Sequence, residues 1–194
     1  GKVYAAGVWS GGSAPNALPL IELDLKSRTA SHNMMLSPFG GPSAMEIDPA
    51  GKHRLYMTDW LNYIRKIDLP SGQEIQRLRF NQARIWPYSF IKAGELAYLG
   101  CITSPMVYQL DLNRGLLEDG FLLPDGLRGI HGGAYYQQRL YFVTGGAVYC
   151  VDPATGALAQ RMSFAIPVQP ILPAFVRDKL VLIDFLEMMV AKRL

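Results

Sequence analysis

Residues 55 to 72 read LYMTDWLNYIRKIDLPSG. Two short stretches within it, Leu55-Tyr56-Met57-Thr58 and Ile64-Arg65-Lys66-Ile67-Asp68, have the alternation of a pleated strand and no helical 3.6-residue period. They are followed by Leu69-Pro70-Ser71-Gly72, where Asp68 can accept from backbone amides just downstream and Gly72 can take positive φ. A hairpin corner is predicted there.

The same reading recurs in both directions along the chain. Ile21-Glu22-Leu23-Asp24-Leu25, Val107-Tyr108-Gln109-Leu110-Asp111-Leu112 and Val148-Tyr149-Cys150-Val151-Asp152 copy the second stretch. Asp24, Asp68, Asp111 and Asp152 are spaced by 44, 43 and 41 residues. Leu96-Ala97-Tyr98-Leu99, Leu140-Tyr141-Phe142-Val143 and Leu180-Val181-Leu182-Ile183 copy the first stretch, and Val3-Tyr4-Ala5-Ala6 is its displaced opening copy. Ahead of these lie short apolar segments, 43 to 47, 88 to 91, 133 to 136 and 171 to 176, read as innermost strands; after the corners come outer strands over 74 to 80, 117 to 122 and 158 to 164. Four short strands per period of about 43 residues, joined by Gly, Pro and Asn turns, predict an all-β chain: a β-propeller of four-stranded antiparallel blades.

The expected organisation is a single propeller domain over residues 1–194, or part of one, with blades at 1–37, 42–80, 86–123, 129–165 and 168–194. The first blade lacks its inner strand in this reading and the fifth its outer strand, so about five blades are represented; an incomplete ring of six to eight blades is expected, a closed five-bladed ring with two thin blades being the alternative. A blade packs between two others, so both faces of its strands are apolar, in keeping with 49% hydrophobic residues.

Composition narrows the function classes. The net charge of +3 is mild and the basic residues lie singly, so no phosphate-tracking patch is read and no nucleic-acid partner is expected. Apolar runs are too short for a transmembrane segment. Cys101 and Cys150 belong to no CxxC pair; buried free thiols are one reading and a bridge between neighbouring blades the other. The chain opens on Gly1 without an initiator Met or a leader, the pattern of a mature exported protein or of a fragment, and an exported location, periplasmic or extracellular, is expected.

The stretch PSAMEIDPAGKHRLYMTDWLNYIRKIDLPSGQEIQRLRF, residues 42 to 80, resembles an NHL-type repeat and is equally similar to the YWTD repeat, with Tyr56-Met57-Thr58-Asp59 standing for Tyr-Trp-Thr-Asp. Residues 140 to 164, LYFVTGGAVYCVDPATGALAQRMSF, look more like a quinoprotein-type blade. The resemblance implies the fold and carries no function with it. Gluconolactonase-type and lyase-type propellers are similar in repeat length and imply catalytic groups at one mouth of a channel, but their metal-binding Glu, Asn and Asp set has no residue-by-residue match here.

Among single residues, the four repeated aspartates are read as turn caps, one per blade, and excluded from chemistry. Asp59 and Asn62 lie three apart in the loop before the third strand of blade two and could share a divalent cation or hold a ligand hydroxyl, against a purely structural loop with Trp60 packed between blades. His131 stands among Gly129, Gly132 and Gly133 at the start of an inner strand, where small residues would let a ligand approach; it is the catalytic candidate, suited to general acid or base work. Arg84, with Tyr88, and Arg128 hold corresponding positions ahead of blades three and four and could clamp a carboxylate or phosphate. Trp9, in a polar insertion that lengthens blade one, is the candidate partner contact. The cofactor stays open, a divalent cation being the candidate.

Two functional readings follow. The first is a non-catalytic propeller that binds a protein, or the remainder of its own ring, or a small-molecule ligand, as a subunit or domain of a larger exported assembly. The second is a small-molecule hydrolase or lyase that uses His131 with Arg84, Arg128 or Asp59.

Overall fold

The computed structural model describes residues 2–6, 18–36, 42–47, 53–59, 63–80, 87–124, 127, 129–144, 146–163, 170–184 and 192–193. The chain divides into two compact units, Gly1–Arg79 and Phe80–Leu194.

The first unit holds two antiparallel sheets. One is three-stranded, with β1 (Lys2–Ala6), β2 (Leu18–Asp24) and β3 (Thr29–Leu36) in chain order. The other is four-stranded, with β4 (Pro42–Ile47), β5 (Arg54–Asp59), β6 (Tyr63–Asp68) and β7 (Gln73–Arg79). The quoted sequence thus forms β5, β6 and the corner after them: Leu55 pairs with Ile67, Met57 with Arg65 and Asp68 with Gln73. Four consecutive residues of β6, from Ile64 to Ile67, are buried, as a strand covered on both faces requires.

The second unit repeats the plan. β8 (Pro87–Ala93), β9 (Leu96–Cys101), β10 (Met106–Asp111) and β11 (Leu116–Leu122) make one meander; β12 (Gly132–Tyr136), β13 (Arg139–Val143), β14 (Ala147–Val151) and β15 (Leu158–Ser163) make the next. A three-stranded sheet follows, of β16 (Pro170–Val176), β17 (Lys179–Asp184) and β18 (Lys192–Arg193). The first strands of the three sheets lie together, with β12 packed against β8 on one side and β16 on the other. Its neighbour β13 shows why both faces are apolar. Leu140 and Phe142 join Ile91, Tyr98, Val107 and Leu123 between the first two of these sheets, while Val143, with Tyr141 packed beside it, meets Leu180 and Leu182 of the third. Fully burying one such side chain stabilises by about 1.5–3 kcal/mol.

Two cross-sheet contacts depend on glycine. A Cβ on Gly133 would lie 2.1 Å from Ile91 Cδ1, and one on Gly156 would lie 2.4 Å from Phe121 Cδ2. The expectation that Gly133 clears space for a ligand is therefore corrected: the side chain of Ile91 fills that space. Cys101 and Cys150 are buried free thiols, so the bridge is not formed.

Candidate functional site

Each repeated aspartate closes its hairpin as the sequence predicts. Asp24 Oδ1 accepts from Lys26 N at 2.8 Å and Ser27 N at 3.2 Å. Asp111 Oδ1 accepts from Asn113 N and Arg114 N at 2.9 and 2.8 Å, and Asp152 Oδ1 from Ala154 N and Thr155 N at 2.9 and 3.2 Å. Asp68 Oδ2 takes Ser71 N at 3.1 Å and the Ser71 hydroxyl at 2.5 Å. In the last three corners a glycine four residues on, Gly72, Gly115 or Gly156, takes φ near +70° and donates its N–H to the aspartate carbonyl at 2.8 Å. In the first corner Arg28 occupies that place at φ 58°. The Ser71 hydroxyl holds the Asp68 carboxyl below its usual value, and the Ala154 amide, followed by Thr155 N and Arg139, does so for Asp152.

His131 lies at the opposite end of its blade from these corners. The connection that leads to it is tied to the β9–β10 turn: Leu123 N donates to Pro105 O at 2.9 Å and Gly129 N, at φ 74°, to Ile102 O at 2.8 Å. His131 N then donates to Val143 O at 2.9 Å, extending the β12–β13 ladder by one bond, while Ile130 is buried in the core beside it. The imidazole is half-buried, and burial lowers its pKa. It is therefore mostly neutral at pH 7, the form that accepts a proton. A Cβ on Gly129 or Gly146 would meet nothing within 4 Å, so the backbone on this end is open to approach. Thr144, next in chain to Val143, spends its hydroxyl on Ala147 O at 3.2 Å.

The remaining sequence candidates are not brought together with His131 by anything the structure describes. Trp9, Asn62, Arg84 and Arg128 lie outside the described residues. Asp59 ends β5 and Tyr88 is the second residue of β8, and their side chains also lie outside. Among the described residues, no three His, Cys, Asp or Glu side chains converge on a point where a metal ion would fit.

Sequence reasoning passed over a charged cluster on the β6–β7 hairpin. Arg65, 3% exposed, reaches Glu74 Oε2 at 2.7 Å; Arg77 reaches Glu74 Oε1 at 2.6 Å; both guanidinium groups sit over the Tyr63 ring, at 5.8 and 5.5 Å. On the other face Lys66 lies 4.8 Å above the Tyr56 ring. Burial opposes the charge on Glu74, yet the two arginines hold its carboxyl below the ordinary value. The signal was not local: counted from the Asp68 corner Arg65 would face Gln76, and a bulge at Ile75 moves it opposite Arg77, while the β5–β6 pairing sets Tyr56 opposite Lys66. A second missed cluster joins β12 to the next sheet: Tyr136 stacks on Phe175 at 4.2 Å and donates its hydroxyl to Asp178, and Tyr141 meets Phe175 edge-on at 4.8 Å.

Comparison with solved structures gives the fold. The chain has the β-propeller fold. It resembles a chain of a nidogen/laminin complex with a TM-score of 0.69 and 15% identity, covering 87% of this chain and 64% of that one. It also resembles a chain of a mitotic checkpoint complex (0.66, 11%, covering 86% and 52%) and one of Kuenenia stuttgartiensis hydrazine synthase (0.62, 15%, covering 81% and 53%). The chain thus spans between half and two thirds of the lengths of these chains, and at such identities the likeness shows the fold alone. No protein-family model matches the sequence, and no curated protein matches it.

Proposed function

We propose that this propeller is a non-catalytic binding subunit or domain of a larger, exported assembly, and that its partner is a protein. One observation carries the reading. Several of the charged groups are turned onto the protein itself, the four aspartates onto turn amides and Arg65, Arg77 and Arg139 onto carboxylates, while large apolar side chains face outward. Leu25, Ile75, Leu116, Leu122, Leu158 and Val176 are 39–63% exposed, and all lie at hairpin corners or on outer strands. Apolar surface in those places is what a protein partner can cover. Two of the similar solved chains come from complexes, nidogen/laminin and mitotic checkpoint, which agrees with the reading.

The test is chemical cross-linking of the tagged full chain in its source cells. Cross-links that recur on outer-strand residues with one partner support a binding role; a chain that sediments as a monomer and cross-links to nothing above background defeats it. A second reading, hydrolase or lyase, is favoured by the half-buried His131, whose pKa burial lowers, on the end of the blade where the backbone of Gly129 and Gly146 is open. It requires a turnover against lactone or ester substrates that His131→Ala removes and His131→Gln does not restore.

A further inference from the structure

The outer strands of the three four-stranded blades differ in what they show to solvent. β11 is hydrogen-bonded to β10 on one side, and among the described residues no strand lies on its other side. Its backbone there is a template on which an extended segment can add. Outer strands usually carry charges that guard against such pairing. On β7 Arg77 and Arg79 accompany Glu74, and on β15 Arg161 lies over the Tyr149 ring at 5.5 Å, so both strands are net cationic. β11 has no cation. It exposes Glu118 and Asp119, with Leu116 39% exposed at one end and Leu122 61% exposed at the other. On a chain of net charge +3 this is a negative strip between two apolar anchors.

The geometry limits how a segment can sit. Asp119 pairs with Tyr108 and Glu118 with Gln109, so the two carboxylates address opposite faces of the sheet. Beyond them Gly120 is the extra residue of a bulge, since Asp119 pairs with Tyr108 and Phe121 with Val107. A Cβ on Gly120 would fall 2.8 Å from Val107 O. Regular pairing therefore stops at Asp119, and Leu122 is offered separately past the bend.

We propose that β11 is a docking strand for an extended partner segment with two consecutive basic residues flanked by apolar ones, added by strand pairing along Leu116–Asp119. The consecutive cations meet Glu118 and Asp119 on the two faces, and the apolar flanks cover Leu116 and Leu122. This rests on the binding role proposed above and names its surface and its chemistry.

The probe is the peptide acetyl-Leu-Thr-Lys-Arg-Thr-Leu-amide, titrated into the isotope-labelled full chain and followed through backbone amide signals. The same peptide with Glu-Asp in place of Lys-Arg is the control. Expected are shifts confined to residues 116–122, no binding of the acidic control, and at least tenfold weaker binding by the Glu118→Lys/Asp119→Lys variant or at about 0.5 M salt. The variant changes exposed side chains only and should keep the parent melting temperature. Shifts at another surface overturn the docking strand and leave a binding role standing. No shifts anywhere overturn it too, and the cross-linking test then judges the binding role separately. Self-association of the chain that the double variant abolishes also overturns it, because the occupant is then a second copy.

Discussion

Gly133→Ala tests whether adjacent propeller blades meet where the contacts place them. Gly133 lies in the extended strand β12 with no positive φ, so any cost of the substitution is steric. The new methyl would stand 2.1 and 2.9 Å from Ile91 Cδ1 and Cγ1 and 2.9 Å from the Tyr141 carbonyl oxygen. Overpacking of this kind costs about 1–3 kcal/mol, and the backbone contact cannot be relieved by a rotamer change, which puts the expectation at about 2–3 kcal/mol. Ile91→Val removes Cδ1, the nearest atom, and alone costs about 0.5–1.5 kcal/mol. If the two residues compete for one space, the double variant is more stable than the sum of the single changes predicts by about 1 kcal/mol. Urea midpoints of the full chain and its three variants measure this, and each kcal/mol should appear as about 2–4 °C in melting temperature. A Gly133→Ala chain within about 0.5 kcal/mol of the parent, or strict additivity in the cycle, would falsify the packing of β12 against β8.

Other expectations follow from single groups. The Tyr108 hydroxyl is buried with no partner among the described residues, and burial pushes its pKa up to about 12, so Tyr108→Phe should leave stability unchanged or raise it by up to about 1 kcal/mol; a loss above 1 kcal/mol in urea would show that the hydroxyl is bonded. Arg28 holds the left-handed place that glycine takes in three sister corners, and Arg28→Gly should raise the melting point by a degree or two, a lower value counting against the corner. Burial moves the Cys101 thiol up to about 12, leaving about one part in ten thousand ionised at pH 8; Cys101 should resist iodoacetamide in the native chain and react promptly in urea, and fast native labelling would refute its burial. Asp68 and Asp152 have lowered carboxyl pKa values, the Ser71 hydroxyl being the main cause for Asp68 and the Ala154 amide for Asp152. Their contribution to stability is complete above the unfolded value near 4 and is lost as pH falls through the lower folded values. Asp152→Asn should accordingly flatten the acid limb of melting temperature against pH, and an unchanged limb would show that the turn amides do not sense the charge.

The four-stranded blades were legible because each one repeats a short-range device. An aspartate that caps its own turn, a glycine four residues on and a Leu-led strand before it are all local, so they can be read without knowing what lies across the sheet. What lies across the sheet was not legible. Gly133 reads as a clearance glycine, and Gly156 as a turn glycine and nothing more, until Ile91 and Phe121 from the neighbouring blade are seen against them. The Arg65, Glu74 and Arg77 cluster was not readable from the Asp68 corner alone, because a bulge at Ile75 shifts the hairpin register and brings Arg77, in place of Gln76, opposite Arg65. His131 was placed correctly at the start of an inner strand, but a lone imidazole needs partners to become a site. The residues chosen to accompany it, Arg84, Arg128 and Asp59, came from loop position alone, a far weaker guide than the strand repeat.

Ile91 into Gly133 and Phe121 into Gly156 are two pegs in two sockets, one on the first strand and the other on the corner of the last. Such keying at both margins leaves no neighbouring register in which the two sheets still mesh, since a slip of one residue turns each peg to the opposite face. Blades three and four should therefore open to solvent exchange together, as a single cooperative block. Any graft that exchanges one of them for a blade from elsewhere must bring the matching sockets with it.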